Sequence, residues 1–138
     1  MNTSYRPKTM TGTGNHRSIF DWGSKMQVVR KGKGEIAMTE SELVRFFEVT
    51  WKKLNYRLQT IMKSSDLHLN EKGAGEEEVL ANGQLQGYAP LFPLPIIIAL
   101  SFQLDSMEAH LFREYVCQRL QTEAAIVMPI FLLGNTKN

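Results

Sequence analysis

TESELVRFFEVTWKKLNYRLQTIM, Thr39 to Met62, is the most regular stretch of the 138-residue chain. Thr39 and Glu42 stand at the spacing where a hydroxyl and a carboxylate cap each other's backbone amides, and Met38 and Leu43 hold the positions of a hydrophobic staple. Both signals mark the same helix start. Apolar side chains then recur at Leu43, Phe47, Trp51, Leu54, Leu58 and Ile61, with Arg45, Glu48, Lys52, Asn55 and Gln59 facing away. The spacing predicts one helix, Glu40 to Met62, whose aromatic stripe has the width of a buried face. A nucleobase or cofactor platform is the sharper alternative, and core packing is preferred.

Downstream, Lys63 to Pro90 carries Gly73, Gly75, Gly83 and Gly87 and the acidic run Glu76 to Glu78. A mobile surface loop is expected there, with one short helix near Glu77 to Ala81. The three adjacent carboxylates cannot converge on one point, so they are read as solvated. Ile98, Leu100, Phe102 and Leu104 alternate with Ala99, Ser101 and Gln103, the period of a strand with one buried face. Asp105, with Glu108 three residues on, opens a second helix whose inward residues are Leu111, Phe112, Tyr115, Val116 and Leu120, with Cys117 near that face as a small core residue. The run Ala124 to Gly134 contains Pro129, which cannot donate to a ladder, so it reads as an edge or bulged strand.

Upstream lies VVRKGKGE, Val28 to Glu35. Neither the GxxxxGK[ST] spacing of a phosphate-binding loop nor GxGxxG is present, so nucleotide hydrolysis is not expected. The stretch reads as the basic turn of a hairpin between Lys25–Arg30 and Glu35–Met38, with Gly32 and Gly34 free to take positive φ. Before it, residues 1–24 are rich in Thr, Gly, Asn and Ser and read as a flexible arm. Ile19, Phe20 and Trp22 interrupt that arm as anchors, either on the body of the domain or on a partner. Docking on the body is favoured because exposed Phe and Trp are costly in water.

A chain of this length, 43% hydrophobic, forms one domain with a proper core. The expected architecture is α+β: a small antiparallel sheet packed against two main helices, residues 25–138, carrying the flexible basic arm at 1–24. One cysteine and the scattered His16, His68 and His110 make neither a disulfide nor a metal site, and a reducing, intracellular setting suits them. The N-terminus has no apolar core of signal-peptide type. The run Leu91 to Leu100, with two prolines, is too short to span a bilayer, which takes roughly 20 apolar residues. Although the net charge is only +2, residues 1–34 hold seven cations against Asp21. Arg6, Lys8, Arg17, Lys25, Arg30, Lys31 and Lys33 are therefore the expected contacts for an anionic partner: nucleic acid, membrane or acidic protein.

The segments TESELVRFFEVTW, Thr39 to Trp51, and IALSFQLDSMEAHLF, Ile98 to Phe112, in this order of basic arm, strand, capped helix, loop, strand and helix, are similar to the compact matrix proteins of rhabdoviruses. The proline-tyrosine late motif that several such proteins carry in the arm is absent here. The resemblance implies a structural, non-enzymatic role without cofactor or small-molecule substrate: self-association into a homo-oligomeric lattice that condenses ribonucleoprotein and bridges it to an anionic membrane. It also implies a place in the host cytoplasm, at the membrane and in the virion. The alternative is a cytosolic nucleic-acid-binding protein in which the arm and the Lys31 to Lys33 turn track phosphates and Trp22 stacks on a base. For an enzyme the best acid-base pair is His110 with Glu114, one helical turn apart, and no nucleophile accompanies it.

Overall fold

The computed structural model describes residues 16–127, with side chains described as far as residue 124. Ten elements follow in chain order: β1 (Ile19–Trp22), β2 (Val28–Lys31), β3 (Ala37–Thr39), α1 (Glu40–Phe47), α2 (Trp51–Met62), α3 (Leu69–Lys72), β4 (Glu76–Ala81), β5 (Gln84–Pro93), α4 (Leu94–Gln103) and α5 (Met107–Val127). The fold is α+β, with antiparallel pairing throughout two separate sheets, β1-β2 and β3-β5-β4, in place of the single sheet expected.

The helix start at Thr39 forms as its residues dictate. The Thr39 hydroxyl accepts from the Glu42 amide and the Glu42 carboxylate accepts from the Thr39 amide. One helix to Met62 does not form. Glu48 takes a left-handed conformation, φ 54°, and closes α1, and the Thr50 hydroxyl then accepts from the Lys53 amide and caps α2. Within α2, Trp51 is the first residue and keeps the phase of Leu54 and Leu58, three and seven residues on. Leu43, Phe46, Phe47, Leu54, Leu58 and Ile61 are buried, whereas Trp51, expected in the core stripe, is 59% exposed. Trp51→Ala should therefore change stability by less than about 0.5 kcal/mol in a urea titration. A loss of several kcal/mol would return the indole to the core.

The core gathers Phe20, Phe46, Phe47 and Phe112 edge to face with Leu54, Leu58, Ile96, Ile97 and Leu100 around them. Each fully buried side chain of this size contributes about 1.5 to 3 kcal/mol relative to exposure. Ile96, Ile97, Leu100, Ser101 and Leu104 are buried on α4 or at its C-cap, a helical spacing, so the strand expected at Ile98 to Leu104 is a helix. Pro95 in the first turn favours that outcome, because its missing amide proton has no helical partner there anyway. Phe102, assigned to a buried strand face, is exposed.

The second long helix begins one residue later than expected, with the Ser106 hydroxyl accepting from the Ala109 amide. Ala109 and Phe112 face inward, while Leu120 and Cys117, both expected at the core face, are exposed. Helix α5 continues to Val127, so the strand expected from Ala124 starts as helix, and its remainder lies outside the described residues.

Two further expectations fail for instructive reasons. Residues 63–90 are not a loop around a helix: β4 and β5 form a hairpin whose turn, Asn82-Gly83, has positive φ at both positions, 54° and 79°. That is the mirror-image turn whose twist matches paired strands. Nor does KGKG close a hairpin. The partner of β2 is β1, in the register Phe20↔Arg30 and Trp22↔Val28, and the turn between them is residues 23–27. Ser18 bridges Ile36 in parallel, its amide donating to Glu35 and its carbonyl accepting from the Ala37 amide, and so ties the two sheets together. The KGKG backbone crosses directly over residues 16–18: a Cβ on Gly34 would lie 1.8 Å from the His16 carbonyl oxygen and one on Gly32 2.3 Å from that of Arg17. Glycine is required there for close approach. The folded body thus includes Arg17 to Gly23, which the expected boundary at residue 24 had given to the arm.

Candidate functional site

Arg17, expected among the cations that meet an anionic partner, is buried and committed internally. Its guanidinium donates to both carboxylate oxygens of Glu42, at 2.8 and 2.9 Å, to Glu77 Oε1 at 2.5 Å and to the Ala37 carbonyl at 2.8 Å. One side chain therefore ties α1, β3 and the base of the β4-β5 hairpin. Burial disfavours the charge, but the Glu42 and Glu77 hydrogen bonds outweigh it and hold the guanidinium pKa above its ordinary value. For Glu42, burial pushes its pKa upward, and the opposing bonds from Arg17 and the Thr39 amide hold it below the ordinary value. Glu77, read from sequence as solvated, is an ion-pair partner.

Lys25, Arg30, Lys31 and Lys33 are exposed around the β1-β2 hairpin and the KGKG crossing. They are not equivalent. Lys31 Nζ lies 2.7 Å from Asp21, whose carboxyl that hydrogen bond holds below its usual range, and Arg30 donates to the Gly34 carbonyl at 2.7 Å. Lys25 lies in the turn between β1 and β2, and Lys33 in the crossing beyond the other end of β2. Arg6 and Lys8 lie outside the described residues. The anchors are inward. Phe20 is 7% exposed, and Trp22 stacks on Phe46 at 5.0 Å with its indole nitrogen donating to the Phe46 carbonyl. One face of the Trp22 ring, offered as a base-stacking platform in the nucleic-acid reading, is thus covered by Phe46.

Two surfaces were missed. Every residue from Glu78 to Gln86 is exposed, so both faces of the outer β4-β5 hairpin stand in solvent, with Val79, Leu80 and Leu85 bare. The Asn82-Gly83 dipeptide is the signal that could have found it. The outer face of α2 presents Lys52, Tyr56 and Lys63, with Arg57 5.4 Å from the Tyr56 ring, and Trp51 is exposed at the first residue of the helix. Its signal was the absence of any Asp or Glu between Trp51 and Lys63.

Of other chemistry, His110 Nε2 sits 3.5 Å from Glu114 Oε2 on an exposed turn of α5. Among the described residues no group of three His, Cys, Asp or Glu could hold a metal ion, and no helix is long and apolar enough to cross a membrane. No family model, curated protein or solved structure matches the chain.

Proposed function

We propose that the chain is a non-enzymatic assembly protein of matrix type, which self-associates and uses its cationic surfaces to bridge ribonucleoprotein and an anionic membrane. The observation that carries this reading is the β4-β5 hairpin. A two-stranded ribbon wet on both faces is marginal in water. β4 is the terminal strand of its sheet; Glu76 to Glu78 charge its inner half and the ladder shifts register between Val79 and Leu80, while its outer end, Val79 to Ala81, carries no charge and no proline. A second copy completes it. Two β4 edges pair antiparallel about a two-fold axis through their uncharged outer ends, Val79 to Ala81, which keeps the two glutamate runs apart.

Sedimentation velocity over a range of protein and salt concentrations tests this. The wild type should gain mass with concentration, and Leu80→Lys should remain monomeric where the wild type associates, with its unfolding midpoint unchanged. A wild type that stays monomeric throughout, or a variant that assembles equally, would sink the reading. For the cationic surface, joint replacement of Arg30, Lys31 and Lys33 by Gln should change stability by less than about 1 kcal/mol, because exposed charges contribute little. It should weaken binding to anionic vesicles, most at low salt, since screening at 0.15 M acts over about 8 Å. Equal vesicle binding at every salt concentration removes this hairpin from the membrane contact.

A further inference from the structure

We propose that the groove between the β1-β2 turn and α5 is the docking site of the chain's own C-terminal segment, residues 128–133. This contact is separate from the β4 edge and the cationic surfaces above.

One face of one helix builds the groove. Leu111, Glu114, Tyr115, Gln118, Arg119 and Thr122 line it, a spacing of three and four residues that keeps all six on one side of α5. Met26 and Val28 form the facing wall, and the space between encloses about 470 Å³, within the roughly 300 to 1,000 Å³ of ligand-sized clefts. Its floor is apolar. Val28 is buried, Leu111 and Tyr115 are half-buried, and Met26, held at a left-handed φ of 58°, is 54% exposed. An unbranched thioether left in water at a groove suits a surface that receives another apolar group. Glu114 and Arg119 give the rim one charge of each sign, so it does not select a charged occupant. Both are engaged already, Glu114 facing His110 at 3.5 Å and Arg119 lying 6.0 Å from the Tyr115 ring centre.

An uncharged apolar occupant begins where α5 ends. After Val127 come Met128, Pro129, Ile130, Phe131, Leu132 and Leu133, and no charged residue follows Glu123 until Lys137. Every residue of α5 from Cys117 to Ala124 is exposed, so the helix carries this segment away from the core that holds Ala109 and Phe112.

The lengths agree. A residue before proline is pushed out of the helical region, which turns the chain at Met128. From Gln118 to Val127 the helix rises roughly 13.5 Å at 1.5 Å per residue, and six extended residues span up to about 20 Å. Residues 128–133 therefore reach back along α5 with length to spare for the turn, and bring Leu133 level with Gln118, beside Tyr115 and Met26. Phe131, two residues earlier and on the same side of an extended segment, falls near Thr122 and the Arg119 guanidinium.

Cross-linking in the full chain separates this occupant from its competitors, a second copy's segment and a lipid surface. Every variant carries Cys117→Ser, to remove the native thiol, and Leu80→Lys, to remove assembly through β4. With a short bis-maleimide at low protein concentration, Gln118→Cys/Asn135→Cys should close within one chain at least about tenfold faster than the control Leu120→Cys/Asn135→Cys, because Leu120 is exposed on the opposite side of α5. Adding Phe131→Ser and Leu133→Ser should bring the first pair down to the control rate. Equal rates for the two pairs overturn the proposal, and so does an advantage that survives the serine substitutions. A cross-linked dimer in place of the closed monomer gives the groove to a second copy's segment and overturns docking within the chain. Equal rates together with flotation on phosphatidylcholine vesicles that the serine variant loses would give the segment to lipid.

Discussion

Arg17→Met should destabilise the protein by about 3 to 5 kcal/mol at neutral pH, the range for removing one partner of a buried ion pair. That is a large share of the roughly 5 to 15 kcal/mol that holds a domain folded. The Arg17 side chain is 6% exposed, and without it the carboxylates of Glu42 and Glu77, 19% and 28% exposed, face each other with no counterion. The deficit should shrink in acid. Because the folded pKa of Glu42 is depressed, its stabilising contribution is present above the ordinary value of 4.5 and is lost as pH falls through the folded value. Wild type therefore loses this contribution in acid, and the variant has little of it to lose. Arg17, with its pKa raised, stays charged throughout that range. Denaturant unfolding of both proteins from pH 7 down to pH 3 checks the convergence. Adding Glu42→Gln and Glu77→Gln to Arg17→Met should recover most of the loss, since neutralising a whole buried network is often nearly neutral. A single-variant loss under about 1 kcal/mol would mean the cluster is hydrated and dispensable.

Phe112→Ala should cost about 3 to 5 kcal/mol, and here the cause is a cavity. Phe112 is fully buried and its ring meets Phe20, Phe46, Phe47 and Tyr115 with centroids 5.0 to 6.3 Å apart. These neighbours belong to β1, α1 and α5 itself, so no single element can shift to fill the space. Phe102→Ala on α4 is the matched control: its ring is 61% exposed and meets only the Arg113 guanidinium at 5.9 Å among the contacts described, so a loss under about 1 kcal/mol is expected. Similar losses from the two substitutions would show that the core is not where the packing puts it.

What the sequence disclosed follows the range of the interaction. The Thr39 and Glu42 cap was legible because both partners lie within one turn, and Phe20 and Trp22 were legible as anchors because large rings rarely stay in water. The break at Glu48 was hidden by the adjacent pair Phe46 and Phe47, whose two phases let the stripe seem to run on to Trp51. Helix α4 was misread because its apolar content is almost continuous, so a period of two and a period of 3.6 both fit until burial chooses. Arg17 looked like any other arm cation because its partners lie 25 and 60 residues away. Trp51 was placed inside because it keeps the phase of Leu54 and Leu58, although it is exposed at the first residue of α2.

Phe20 and Phe112, with ring centroids 5.0 Å apart, join the first strand of the described chain to its last helix. During synthesis, then, β1, α1 and α2 leave the ribosome well before the helix that seals them. Phe20, Phe46 and Phe47 must wait, exposed, while the intervening hairpin and α4 are made, and the chain must close a loop of most of its length before they are covered. Such an interval favours association of nascent chains through the same rings, the hazard common to folds rich in long-range contacts. A chain ending before Met107 is expected to collapse without cooperative unfolding and to aggregate, so α5 sets the moment at which this protein becomes a folded molecule.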